Sequence, residues 1–330
     1  MEKVTNAMSL IFSSFILSLV VGYFIIKILN KFNANQSLSI YLKEKHKSKS
    51  KTPTMGGLIF EITLFILIFL LYILKKITIT YNLIIVLFTY LSYSLIGFLD
   101  DYLIIKKSNN KGLSENCKMF LQLIIALIFF YLFLSAHNEP LLWIHTLNIK
   151  VNLSWYYGIF ILFVLVASSN AVNITDGLDG LAGGLSLIAY ITFGIITYNT
   201  TWLLGYKEIA YVCFIIAGAL MGFLVYNVNP AKIFMGDTGS LALGATLSSV
   251  AILTRHELLL VLIGIVFVIE TLTCIIQRFY YKFTKKRLFL MTPIHHSFEK
   301  KGYKETDIVK LFWLVGLIAS MIALTFGVLL

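Results

Sequence analysis

The sequence predicts an all-α polytopic membrane protein of about ten transmembrane helices, and three observations predict it. The 330 residues are 58% apolar and only 13% charged, with a mean hydropathy of +0.86; soluble domains average about 45–50% and about 25%. The chain divides into ten weakly charged stretches, most of them close to the roughly 20 residues that cross a bilayer as a helix. The charges left over are sorted by side. Of the 27 Lys and Arg, 20 fall in loops after odd-numbered stretches and six at the N-terminus or after even-numbered ones. Because basic residues collect on the cytoplasmic face, this split puts the odd loops in the cytoplasm and both termini outside.

The first stretch, residues 7–26, carries no charge and follows Lys3 without a small-residue cleavage site, so it reads as a span that stays. A basic segment with seven Lys leads to the second, Leu58 to Leu74, with Glu61 near its start. The third, 77–99, stops at Asp100-Asp101, and the fourth covers about 119–136. Residues 147–153 alternate apolar and polar, which fits a small extramembrane hairpin. The fifth stretch closes at Asn170–Asp179, the sixth lies within 180–206, and the seventh ends at Asn227-Val228-Asn229-Pro230. The eighth, about 240–254, is short. The ninth, about 258–277, contains Glu270, and the tenth is 311–330. No internal repeat or soluble boundary divides the chain, so 1–330 is one integral-membrane domain.

The net charge of +11 is explained by this topology and not by nucleic-acid binding. Three distant cysteines without a Cys-x-x-Cys pair indicate neither a disulfide framework nor a zinc site.

All six Asp residues lie on the cytoplasmic side of this topology: Asp100, Asp101, Asp176, Asp179, Asp237 and Asp307. Singly, each could mark a solvated helix end. Together they sit in Gly-rich polar clusters at the membrane boundary, where charge is costly unless it has a task. Thr52-Pro53-Thr54-Met55-Gly56-Gly57 opens the second span, and exposed amides at a helix start favour a phosphate. Asp100 and Asp101 point about 100° apart on a helix, so one faces a cleft while the other holds a metal or a Lys. Asn173, Asp176 and Asp179 are spaced by three, which on a helix confines them to one broad face. Gly177 and Gly180 leave room for a ligand to approach. Phe234-Met235-Gly236-Asp237-Thr238-Gly239-Ser240 sets an acid between two Gly, with hydroxyls and an aromatic nearby. Hard oxygens of this kind suit Mg²⁺ completed by water and substrate phosphate, and Phe234 could stack on a base. The last loop carries His295-His296 among eight basic residues, which suits an anionic substrate.

In this order the clusters resemble the polyprenyl-phosphate N-acetylhexosamine-1-phosphate transferase superfamily. Within it they look like the phospho-N-acetylmuramoyl-pentapeptide transferases, which make the first lipid-linked intermediate of bacterial peptidoglycan. Asn173 to Leu181 and Phe234 to Ser240 carry the resemblance most specifically, and Pro293-Ile294-His295-His296 favours this branch over the N-acetylglucosamine-1-phosphate transferases.

The resemblance implies transfer of phospho-N-acetylmuramoyl-pentapeptide from UDP to undecaprenyl phosphate in the bacterial cytoplasmic membrane, with Mg²⁺ and release of UMP. Carried over, the candidate catalytic residues are Asp100, Asp101, Asp237 and His295, with Asp100 the family's proposed base. Asp237 is the metal residue, with Asn173 and Asp176 beside the metal and pyrophosphate. Lys49, Thr54, Asp179, Asn227, Phe234 and Gln277 make the nucleoside pocket, and Gly177 and His296 complete the donor contacts.

Two places depart from the family. Its usual third His is Ser297 here, so Ser297→His should be mild or slightly beneficial. Its further basic residues fall on Ser108 and Asn116, with Lys107 and Lys118 the nearest cations. The rival readings are a transferase for another UDP-sugar and a nucleotide-sugar transporter. A transporter should place polar groups near the midplane, often in inverted repeats. The oligomeric state, a homodimer among the options, is open.

Overall fold

The computed structural model describes residues 2–32, 34, 52–107, 112–144 and 147–329. Twelve α-helices and one hairpin follow in chain order: α1 Glu2–Lys31, α2 Gly57–Ile73, α3 Tyr81–Lys107, α4 Glu115–Ser135, β1 Leu141–Ile144, β2 Ile149–Asn152, α5 Tyr156–Thr175, α6 Leu181–Asn199, α7 Tyr206–Asn227, α8 Gly236–Leu253, α9 Glu257–Ile263, α10 Ile265–Thr284, α11 Ile294–Lys300 and α12 Glu305–Leu324.

All ten predicted stretches are helical. Among the described residues seven helices are long and apolar enough to cross a membrane: α1, α3 to α7, and α12 with the turn after it. The pair α9–α10 would make an eighth, but it bends by 83° at Gly264. The other two stretches are α2, of 17 residues, and α8, of 18. α8 is buried without interruption from Thr238 to Leu253. A helix so enclosed meets protein on every side, so its Ser, Thr and Gly need not be apolar enough for lipid.

Small residues set how closely the helices approach α8. A Cβ added at Gly97 of α3 would lie 2.1 Å from the Asp237 carbonyl oxygen, and one at Gly57 of α2 would lie 2.3 Å from the Gly239 nitrogen. α7 is buried between α1 and α6, and Ser14 and Ser18 of α1 donate to the Ile215 and Ala219 carbonyls of α7 at 2.6 and 2.7 Å. The outer helices present bare apolar side chains such as Phe12, Tyr131, Phe163 and Met321, as a lipid-facing surface requires.

The two ends of the bundle differ. At one end β1 and β2 pair antiparallel, Leu141 opposite Asn152 and Ile144 opposite Ile149. The predicted alternation marked only the second strand. Arg255 binds this end together, donating to the Glu139 and Leu141 carbonyls and to the Tyr157 hydroxyl at 2.5, 3.1 and 3.0 Å. Asp100, Asp101, Asp176, Asp179 and Asp237 gather at the other end, where α3, α5 and α7 finish and α2, α6 and α8 begin, and Asp307 lies in the first turn of α12, whose Glu305 reaches Asp179 there.

Candidate active site

The site is built on the start of α8. A helix start leaves backbone N–H groups without partners, and here Asp101 of α3 satisfies two of them. Its carboxylate accepts from the Asp237 and Thr238 N–H groups at 3.2 and 3.0 Å and from the Thr238 hydroxyl at 2.6 Å. Asp101 is 4% exposed. Both of its oxygens are taken by α8, so it orders Asp237 and is not turned to a substrate.

Its neighbour Asp100 points elsewhere, as adjacent helical residues must. It accepts from the Leu113 N–H at 2.6 Å and pairs with the Lys118 ammonium of α4 at 2.9 Å. Lys118 also reaches Asp237 at 2.7 Å. The other Asp237 oxygen accepts from the Asn173 amide at 2.7 Å, and that amide donates to Ser240 at 2.9 Å. Side chains of α4 and α5 thus converge on the Asp237 carboxylate of α8, and α3 holds both its backbone and the Lys118 ammonium. Among the described residues no three acidic, His or Cys groups form a ready metal cluster. Two carboxylates do converge on a single cation, and these oxygens match the hard donors Mg²⁺ takes. In this amide orientation Asn173 buttresses Asp237 and does not offer it an oxygen.

The Asn173–Gly180 segment departs from the predicted helical face. α5 ends at Thr175 with Asp176 as its cap, and Gly180, at φ +80°, starts α6. Only Asn173 of the three is helical, so the acids diverge. Asp176 is half-buried, and burial, followed by the charges of Asp237, Asp101 and Asp179, pushes its carboxyl up to about 8. Asp179 turns the other way, accepting from Asn229 and the Ala231 N–H at 2.9 and 3.1 Å, while its own N–H donates to Glu305 of α12 at 2.7 Å.

Beside it a narrow backbone clasp joins the two Gly-rich segments. The Phe234 N–H donates to the Pro53 carbonyl at 2.8 Å, and the Gly56 and Gly57 N–H groups donate to the Phe234 and Met235 carbonyls at 2.8 and 2.9 Å. Phe234 is half-buried in this clasp, and the Thr54 hydroxyl is buried there with no hydrogen-bond partner among the described residues. Asn227 is buried and bonded at both ends of its amide: it accepts from the Gly180 N–H at 3.0 Å and donates to the Ile233 carbonyl at 2.9 Å. It holds the walls of the predicted pocket together. Lys49 and Ser108 lie outside the described residues.

The last loop folds back over the Asp segment. His295 is wholly buried, with Nδ1 3.1 Å from Glu270 of α10. Its Nε2 stands 2.3 Å from where a Cβ at Gly177 would be, so that glycine admits the ring. His296 pairs with Glu299 at 2.6 Å. Ser297 accepts from the Met291 N–H and donates to the Met291 carbonyl, and it is 7% exposed. A His in its place would give up the short paired contact with Met291, so the structure argues against the expectation that Ser297→His is mild. Gln277 is spent on the same loop, accepting from the Leu288 and Phe289 N–H groups at 3.0 Å. It supports the loop from α10, away from the Asp segment's hydrogen bonds.

Sequence reasoning named Lys118 only as a nearby cation, and the structure makes it the centre of the charge cluster. It did not find Glu305 or Asn229, which carry no signal beyond a charged first turn and a polar loop.

Paired acids around one cation at a helix start, in a bundle of membrane-length apolar helices, suit a multi-pass membrane enzyme that handles phosphorylated substrates. Comparison with known proteins narrows it. The profile of glycosyl transferase family 4 matches residues 83–255, and the first signature of the phospho-N-acetylmuramoyl-pentapeptide-transferases matches residues 49–60. Curated phospho-N-acetylmuramoyl-pentapeptide-transferases of Staphylococcus carnosus and Staphylococcus epidermidis are each 44% identical, over 96% and 97% of this chain and 97% and 100% of their own lengths. That of Staphylococcus aureus is 43% identical over 97% of this chain and all of its own. The chain belongs to the phospho-N-acetylmuramoyl-pentapeptide-transferase family.

Proposed function

We propose that this chain transfers phospho-N-acetylmuramoyl-pentapeptide from its UDP carrier to undecaprenyl phosphate in the bacterial cytoplasmic membrane, with the site facing the cytoplasm. The observation that carries the site assignment is the Asp100–Lys118–Asp237 cluster, two carboxylates held on one cation at the start of α8. An oxygen of the lipid phosphate attacks the phosphorus that bears the sugar. The bond from that phosphorus to the oxygen shared with the UMP phosphate breaks, and UMP leaves with the electron pair. The lipid-linked product keeps a pyrophosphate.

Phosphate monoesters lose their second proton near about pH 6, so the nucleophile is already ionised. Asp100 therefore serves to orient the cation and the incoming phosphate, and a base has little to remove. Mg²⁺ is the cofactor these donors suit, with Asp237 its main protein ligand and Asp100 and Asp176 within the same acidic surface. When bound it stabilises the departing UMP oxygens. Lys118 moves its ammonium from the two carboxylates to the phosphate oxygens. Asn173 fixes Asp237, and Asp101 fixes the helix start beneath it. Phe234 stacks on the uracil ring, with Thr54, Asp179, Asn227 and Lys49 framing the nucleoside, and Gln277 acts only through the loop it supports. His295 and His296 face the muramoyl-pentapeptide arm, which needs contacts beyond the nucleotide.

The testing experiment offers purified enzyme the muramoyl-pentapeptide and N-acetylglucosamine donors together, with undecaprenyl phosphate and Mg²⁺. Faster labelling of lipid from the muramoyl-pentapeptide donor is expected. Preference for UDP-N-acetylglucosamine would transfer the chain to the related branch, and no labelled lipid from either would favour a transporter.

A further inference from the structure

Glu270 has no place in the mechanism above, yet it is the residue hardest to explain without one. It sits in α10 six residues beyond the bend at Gly264, it is 0% exposed, and it lies in the broken membrane-spanning pair. A carboxylate taken out of water costs several kcal/mol unless it is paired, and intramembrane acids are kept for function by default. Its neighbour is His295, also 0% exposed, with Nδ1 and Oε1 3.1 Å apart, at ion-pair distance and not in an aligned hydrogen bond.

The imidazole is thereby oriented end to end. Nδ1 faces the carboxylate and Nε2 faces Gly177, next to Asp176. Against an ionised Glu270 a bare Nδ1 lone pair would be repelled, an arrangement that favours a hydrogen on Nδ1. Which ring nitrogen is protonated is set by the partner of the other one. Nε2 is buried and has no partner among the described residues. It is the one nitrogen left to serve a ligand entering over the Asp segment.

We infer that Glu270 is a positioning residue for the transfer: it locks His295 with Nδ1 protonated and delivers Nε2 to the donor substrate at the Asp176–Gly177 turn. This rests on the reading of His295 as a donor contact. Outer partners that orient a functional histidine typically contribute about 10–100-fold to activity. Because Glu270 acts through His295, the two losses must fail to multiply.

Two measurements test it. In the intact wild-type chain with ¹⁵N-labelled histidines, His295 assigned by its loss in His295→Gln, the ring shifts report which nitrogen is protonated. Protonated Nδ1 is expected, and an Nδ1 without hydrogen overturns the inference whatever any variant does. In the second, Glu270→Gln, His295→Ala and the double variant are assayed. Glu270→Gln should lower kcat about 10–100-fold, leave KM for undecaprenyl phosphate unchanged, and add nothing to His295→Ala. Fully multiplying losses would make Glu270 an independent structural residue and overturn the inference. A fully active His295→Ala would instead show that His295 is no donor contact, which removes the underlying reading and is recognisable as such.

Discussion

The Lys118 ammonium lies 2.7 Å from the Asp237 carboxylate, joining two residues 119 positions apart. On the proposed reading this bears on metal binding, since a divalent cation held by Asp237 would meet the ammonium on the same carboxylate oxygen.

If Mg²⁺ binds there as proposed, Lys118 and the metal compete for that oxygen until a phosphate takes the ammonium. Lys118→Gln should lower the Mg²⁺ concentration needed for half-maximal binding, measured with Mn²⁺ as a paramagnetic substitute. The same variant should lose turnover, by roughly 2–4 kcal/mol of transition-state stabilisation if the ammonium meets developing charge. Unchanged metal binding together with unchanged turnover would mean that the pair is only structural.

Asp101 should behave as a cap. Asp101→Ala removes acceptors from two backbone N–H groups at the α8 start, and caps are typically worth about 0.5–2 kcal/mol. Thermal unfolding in detergent should fall accordingly. Asp101→Asn, which keeps an acceptor oxygen, should recover part of that stability. A variant with full stability but no turnover would place Asp101 among the groups that touch substrate.

Much of this arrangement is legible in the residues, and the limits are physical. Charge-free runs fix the helices because lipid demands them, and the Asp residues cluster at one end, while the hairpin end uses Arg255 and Glu257 for structure. The enclosed α8 and bent α9–α10 were harder to read, since hydropathy measures exposure to lipid and both depart from a straight lipid-facing span. The Asn173, Asp176 and Asp179 spacing misled because it assumes that a helix continues. Gly177 and the left-handed Gly180 end it, so Asn173 meets Asp237 while Asp179 meets Asn229. Glu270 announced itself as a charge in an apolar stretch, but no local pattern could pair it with His295, 25 residues on.

The raised Asp176 carboxyl predicts a pH dependence. Its value of about 8 lies above the ordinary range, so the metal-free protein holds that proton at neutral pH. A Mg²⁺ bound beside Asp176, as proposed, would favour the ionised form and would have to expel that proton. The half-saturating Mg²⁺ concentration should therefore fall as pH rises through neutrality and level off above about pH 8. Asp176→Asn should flatten this dependence. A titration in which Mg²⁺ affinity is constant over that range would separate Asp176 from the cation.

Phe234 should discriminate between the two substrates. Phe234→Ala should weaken binding of the UDP donor by about 1–3 kcal/mol, the range for base–aromatic stacking, with polyprenyl phosphate binding nearly unchanged. Equal weakening of both would show that the ring only packs the clasp formed with Pro53 and Gly56.

The central claim is a transfer of the sugar-bearing phosphate, and the most direct measurement follows the phosphorus itself. Purified enzyme, undecaprenyl phosphate and Mg²⁺ are given the muramoyl-pentapeptide donor labelled with ³²P either in the phosphate next to uridine or in the phosphate next to the sugar. The account predicts that the sugar-side label enters organic-extractable lipid while the uridine-side label is recovered as UMP. Recovery of both labels as UDP, or of neither in a new product, would contradict it.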